Sequence, residues 1–440
     1  MYLLRNFSLS KTNYLNLILS MFPISFIAGN MIININIILL LASAIFLFGK
    51  KIFKIKYYFL DKLIIAFFVL VLFTGVINDY YFYTIKLEWY GYFNTILKSF
   101  FFLKYLLLYI ILRYLIENKF INLKFFFISC FFGSLFVSID IIYQFINGQD
   151  IFGFKGIKNN LSGPFGNELI AGGYLQRFSI FSFFLIPFFY QQNFNKYLKY
   201  LIPILFIIFL IAIILSGNRM PLLLFLFVVT LIIIFQKETR KFLLPVLVTF
   251  TLIVYLFYNF NEKAKINFYA FYDQISRGAI ILLEKDFTSK YAPPYMKEFT
   301  SFYNTWLMNK YIGGGIKNFR YYCHQKGAWK EYKKRGFTCN MHPHNYYLEI
   351  LTETGVVGFS IITLAFLIII YLTLIKKYFL SSTLKNNTLI IPFIFLFIIE
   401  IFPIRSTGSF FTTGNTTYLF ILMGILIGLM RKDISIENKS

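Results

Sequence analysis

Charge is scarce in this chain. Asp, Glu, Lys and Arg make up 14% of its 440 residues, while 58% are hydrophobic. A soluble domain of this length carries a larger polar share, so that class is excluded. Acidic groups are the scarcest, 19 against 43 Lys and Arg. Histidines and cysteines number three each. His342 and His344 stand two apart but have no third ligand at useful spacing, so no metal or other cofactor is expected. No internal repeat is visible, which argues against an inverted-repeat transporter. The apolar segment 15–27 is not followed by an A-x-A-like site, so no cleavable signal peptide is expected.

What the chain has in abundance is long apolar runs. Stretches of 15 to 25 residues recur along its length, the signature of membrane-spanning helices. The reading is an all-α polytopic membrane protein with about twelve spans, near 15–29, 31–48, 63–77, 97–116, 125–146, 170–190, 200–215, 220–235, 243–258, 355–375, 387–402 and 417–430. Phe (59) and Tyr (33) reflect a biased composition and, in part, the aromatic belt at the membrane interface. The net charge of +24 would suggest nucleic acid in a soluble protein. Here it reports topology, and no nucleic-acid partner is expected. With the N-terminus inside, cytoplasmic segments hold 21 Lys and Arg and the short external loops six, so both termini are expected in the cytoplasm.

The layout divides at one long external loop. Residues 1–258 hold spans one to nine, 259–353 form the loop, and 354–440 hold the last three spans and a tail. The loop has 14 basic and 8 acidic residues and all three histidines. It also holds Cys323 and Cys339, which an oxidising compartment would allow to pair, or which stay free thiols. A second external segment, 78–96, mixes Tyr80, Tyr81, Tyr83, Trp89, Tyr90 and Tyr92 with charges, as an interfacial helix would.

Polar residues that a bilayer disfavours collect at the external ends of spans. Ser216-Gly217-Asn218-Arg219 joins two spans in a tight connection, and its guanidinium can fork onto phosphate oxygens or snorkel to lipid head groups. Gly163-Pro164-Phe165-Gly166-Asn167-Glu168 precedes a span with Arg177 one turn inside, whose partner is Glu168 or a phosphate. Asp140 and Gln144 share a helix face; Gln144 reads as structural, and Asp140 stays open. Met341-His342-Pro343-His344-Asn345 runs into span ten. Pro343 fits a first helical turn, which would set His344 beside the helix N-terminus, where the dipole favours the neutral imidazole a general base needs. Glu349 and Glu353 lie one turn apart, either as a working pair or as simple solvation of the helix start. Lys98 and Lys104 in span four meet a phosphate or snorkel. Arg405 pairs with nearby Glu400 or binds substrate.

The run His342-Pro343-His344-Asn345 with Leu348-Glu349, Glu353, Gly355 and Gly358 resembles the signature of the O-antigen ligase and polymerase family. Gly313-Gly314-Gly315-Ile316-Lys317-Asn318-Phe319 is similar to its glycine-rich turn, Ser216–Arg219 to its Ser-Gly-x-Arg element, and Phe165-Gly166-Asn167-Glu168 to its Phe-Gly-Asn segment. The matches run in order from Asp140 to Gly358. The resemblance implies a metal-independent glycosyltransferase of the C type in the bacterial inner membrane, with residues 259–353 periplasmic. Its implied donor is a glycan on undecaprenyl diphosphate. Its implied acceptor is lipid A–core for a ligase, or another lipid-linked repeat or a protein for its relatives. By position, His344 is implied as base with Glu349 orienting it, and Arg219 as diphosphate ligand with Arg177 and Lys104. Asn345, Asn167, Glu168, Arg405 and Asp140 would support them. A further loop cation is implied, with Arg277, Lys297 and Arg320 competing and Arg320 nearest the glycine turn. A flippase of lipid-linked glycan is the alternative of another class.

Overall fold

The computed structural model describes all residues except 1–10, 85–93, 157–159, 191–200, 261, 285–292, 326–338, 340–341, 381–388, 406–407 and 438–440. Its described residues form helices and connecting turns, with no strand and one isolated bridge between Gln149 and Lys155. Six helices are long and apolar enough to cross a membrane: Asn30–Lys54, Phe59–Thr84, Asn94–Glu117, Leu123–Asn147, Tyr346–Lys376 and Thr413–Arg431. Shorter apolar helices include Leu201–Leu215, Arg219–Phe235 and Ile391–Glu400. The chain is an all-helical polytopic membrane protein, and its outward apolar side chains, Phe46 and Leu367 among them, suit lipid contact.

The helices Lys104–Glu117 and Thr413–Glu437 pack closely against each other. Gly424 and Gly428 stand one turn apart on their shared face. A Cβ on Gly424 would lie 2.9 Å from the Leu112 side chain, and one on Gly428 would lie 2.7 Å from Ile116. Small residues at this spacing let two backbones approach, which favours association where no hydrophobic force separates helix from lipid. At the end of this pair Arg113, 1% exposed, binds Asp61 at 2.6 Å and Glu117 at 2.6 Å. The Tyr109 hydroxyl donates to Asp61 as well, at 2.6 Å. This network ties the long helix Phe59–Thr84 to the pair.

The helix Tyr346–Ile370 is broken at Gly355 (φ 66°, ψ −174°), in a region open only to glycine. The break exposes carbonyls of the first half and N–H groups of the second. The segment 310–315 satisfies both sets. Gly314 N donates to Thr352 O at 3.0 Å and Gly315 N to Glu353 O at 2.8 Å. Val356 N and Val357 N donate to Lys310 O and Tyr311 O, at 2.9 and 3.2 Å. Gly313 lies so close to the backbone of residues 353–355 that a Cβ has no room. The glycine-rich turn is therefore a plug for a broken helix.

Two expectations change. The helix begins at Tyr346 and not at residue 355, so it runs straight through the expected 353/354 boundary of the external loop. Residues 78–84 are not a separate interfacial helix. They are the last turns of Phe59–Thr84, with Tyr80, Tyr81 and Tyr83 exposed; residues 85–93 lie outside the described residues. Asp79 there accepts from Thr95 N at 2.9 Å and Ile96 N at 2.7 Å, capping the next helix across the gap.

Candidate active site at one end of the bundle

Four helix ends meet around Arg177. It lies in the helix Ala171–Phe178 and is 8% exposed. Its partner is Glu400, at the end of the helix Ile391–Glu400, and not Glu168. Nη2 donates to Glu400 Oε1 at 2.7 Å and Nε to Oε2 at 3.2 Å. Nη2 also donates to Asn415 Oδ1 at 2.6 Å, in the first turn of the last helix. The Tyr346 hydroxyl, from the start of the broken helix, donates to Glu400 Oε1 at 2.7 Å. Arg405 pairs with the other Glu400 oxygen and lies 5.2 Å over the Tyr346 ring. Two guanidiniums thus share one carboxylate, leaving one net positive charge among buried groups. Glu400 is the centre of this network. The signal for it in the sequence was a carboxylate ending an otherwise apolar helix, which a bilayer tolerates only with a partner. Nothing local marked Asn415 or Tyr346.

The broken helix starts beside this cluster. Asn345 is its N-cap: Oδ1 accepts from Tyr347 N at 3.0 Å and Leu348 N at 3.1 Å. Its amide donates to Pro403 O at 2.8 Å, fixing the helix mouth to the 401–405 turn. Pro343 therefore stays outside the first turn. His344 precedes the cap in a left-handed backbone (φ 53°), one of three non-glycine residues described with positive φ. Such strain at a polar residue beside a buried charge cluster marks a candidate functional group. The His342 ring packs on His344, centroids 4.4 Å apart. Burial, and then the field of His344, lower the His342 pKa from its ordinary value to about 4, so His342 is neutral at physiological pH.

Glu349 is placed differently from expectation. Its carboxylate accepts from Ser409 Oγ and Phe410 N, both at 2.5 Å. These contacts tie the helix to the 408–412 turn; none of the described contacts joins Glu349 to His344. Its observed role is to hold the connection between the last two helices.

Arg219 opens the helix Arg219–Phe235 and is exposed. The turn before it packs on Gly172: a Cβ there would lie 2.6 Å from Ser216 Oγ and 3.0 Å from Asn218 Cβ. Gly172 and Arg177 share one helix, and Arg177 reaches Tyr346, two residues beyond His344. Arg219 and His344 therefore stand at the same end of the bundle. Asn167 and Glu168 are exposed on the approach to that helix.

Other candidates take structural places. Asp140 accepts from Ile151 N at 3.0 Å, and Gln144 pins the same loop through Phe154 O and Gly163 N. Lys104 donates to Asn34 Oδ1 at 2.5 Å and lies over the Tyr105 ring. Arg277 pairs with Asp273 on an exposed helix. Lys297 lies in the helix Pro294–Trp306. Arg320 lies in the short helix Phe319–Gln325, directly after the glycine turn; its side chain lies outside the described residues. Cys323 and Cys339 form a disulfide that closes the excursion before His342, and Cys130 is a buried free thiol.

No curated protein matches the chain. Residues 204–363, which carry the Arg219 turn, the glycine plug, His344 and the helix break, match the family model described as O-antigen ligase. That match covers a little over a third of the chain and supports its likeness to the O-antigen ligase/polymerase family.

Proposed function

We propose that the protein is an O-antigen ligase-type glycosyltransferase of the bacterial inner membrane, with both termini cytoplasmic and residues 259–353 facing the periplasm. It moves a glycan from undecaprenyl diphosphate to a hydroxyl of lipid A–core. The observation that carries this reading is the meeting, at one end of the bundle, of an imidazole on a left-handed backbone and a buried arginine pair with surplus positive charge. A polymerase acting on a second lipid-linked repeat would use the same groups, and the family match covers both.

In this mechanism His344 removes the proton of the acceptor hydroxyl. The acceptor oxygen forms a bond to the anomeric carbon from the face opposite the lipid diphosphate. The bond from that carbon to the diphosphate oxygen breaks, and the leaving oxygen keeps the electron pair. Arg219, exposed at the rim, meets the diphosphate directly. The Arg177–Glu400–Arg405 cluster behind it contributes a fixed positive field that needs no reorganisation as charge develops. Inversion follows from a single displacement, since no carboxylate in the described contacts faces His344 as a nucleophile would require.

The test is transfer by purified protein with lipid-linked glycan and lipid A–core, with a second lipid-linked repeat as competing acceptor. His344→Ala and Arg219→Ala are expected to lower turnover by about 10²-fold or more while leaving the protein inserted. Turnover undiminished in either variant removes that residue from the mechanism, and loss of activity in EDTA refutes metal independence. Product identity decides between ligase and polymerase.

A further inference from the structure

The mechanism above uses one imidazole, yet the run His342-Pro343-His344 carries two. Three constraints make this run stiff. Pro343 is buried, and its ring holds φ at about −65°. The residue before a proline is pushed out of the helical region into extended backbone, which applies to His342. His344 follows in the left-handed region at φ 53°, and Asn345 then locks the chain as the cap of the broken helix, with its amide on Pro403 O at 2.8 Å. Held this way, the two histidine rings meet edge to face. Their centroids lie 4.4 Å apart and their planes cross at 66°. A carboxylate commonly orients a catalytic imidazole. Here Glu349 is turned to Ser409 and Phe410 at 2.5 Å, and the ring against His344 is that of His342. His342 is half-buried, and the titratable group that acts on it is His344.

We propose that His342 is a positioning residue for the transfer reaction: its neutral ring, fixed by Pro343, sets the plane of the His344 imidazole and leaves that imidazole free to become cationic. This rests on the reading of His344 as the base. The proton leaves the acceptor hydroxyl and stays on a ring nitrogen of His344; His342 neither gives nor takes one. Orientation is the first contribution. A base must come within about 3 Å of the hydroxyl it deprotonates, and an edge-to-face wall on one side removes the ring rotations that miss it. Charge is the second. A like charge within about 4–6 Å disfavours a cation, so a protonated neighbour at this separation would oppose the imidazolium as it forms. A neutral ring does not.

The experiment compares wild type with His342→Phe, His342→Ala and His342→Lys in full-length protein in lipid nanodiscs. Steady-state transfer is read across pH. His342→Ala is expected to lose about tenfold to a hundredfold in kcat with donor KM within about twofold. His342→Phe, which keeps a flat neutral ring, is expected to restore most of that loss. His342→Lys is expected to move the acid limb of the kcat profile to lower pH by about one unit, because the new cation opposes protonation of the base. Wild-type kcat in His342→Ala overturns the proposal, as does a loss in KM alone. His342→Phe as impaired as His342→Ala overturns it too, since the nitrogens of His342 and not its ring would then matter. An unmoved limb in His342→Lys overturns the part assigned to neutrality. The His344 ring is also followed without transfer, by NMR of protein labelled in its three histidines. Its signal is expected to leave the native position in His342→Ala, and an unmoved signal overturns the positioning role. If wild type itself transfers nothing, the proposed function fails, while the NMR measurement still decides whether His342 positions His344.

Discussion

Replacing Glu400 by Gln isolates the charge that holds the site together. The side chain keeps its size and one acceptor, but Arg177 and Arg405 lose the anion they share. In the native protein that carboxylate accepts from Arg177 at 2.7 and 3.2 Å, from Tyr346 at 2.7 Å and from Arg405, with 0% exposure. Removing one partner from a buried ion pair leaves an uncompensated charge and costs about 3–5 kcal/mol. Here two cations are left facing each other, so the expected loss lies at the upper end of that range. Urea unfolding of the protein in detergent, followed by tryptophan fluorescence, would read it. A cycle with Arg177→Gln supplies the control: coupled residues give a double variant less destabilised than the sum of the singles. A second reading uses ligand. With Glu400 neutral the pair carries two positive charges and not one, so inorganic pyrophosphate should stabilise Glu400→Gln more than wild type. A loss below about 1 kcal/mol, the range of an exposed pair, with additive singles would refute the assignment of Glu400 as counter-ion to both arginines.

Two further perturbations follow from the packing and the titration. Gly428→Leu forces the last helix away from Ile116 and is expected to destabilise by about 1–3 kcal/mol through overpacking, seen as a lower melting temperature in detergent; an unchanged midpoint would refute the close approach. For His342 the folded pKa, about 4, lies below the ordinary value near 6.5, so the folded state binds fewer protons between those limits. Stability should therefore fall as pH drops from about 6.5 towards 4. His342→Gln should flatten that part of the profile, and a slope equal to wild type would show that His342 titrates normally.

Much of the membrane layout was legible because hydropathy is a local property. Six of the expected spans fall in helices long and apolar enough to cross a membrane, others fall on shorter apolar helices, and the basic-residue bias rests on composition alone. The site was legible only where its groups are close in sequence. His344, Asn345 and the Arg219 turn declared themselves as polar residues at apolar boundaries. The partner of Arg177 did not, because Glu400 lies 223 positions away and nearby Glu168 offered itself first. Glu349 misled for a similar reason: helical spacing says which residues share a face, but not which of two neighbouring turns that face meets. The helix start was drawn late because the hydropathic run begins near Gly355, although Asn345 is a good cap by type. The glycine-rich turn was read by likeness. Its physical reason, four backbone bonds across a gap in another helix, needs the two segments side by side.

That junction sets a rule for anyone exchanging this loop with that of a related chain. The graft cannot begin at the membrane surface. Residues 310–315 form a backbone joint with the recipient helix on both sides of Gly355, and a donor loop of another length there would leave four peptide groups without partners. Cutting beyond Phe319 and rejoining before His342 keeps the joint native, and confines the exchange to the stretch spanned by the Cys323–Cys339 bridge.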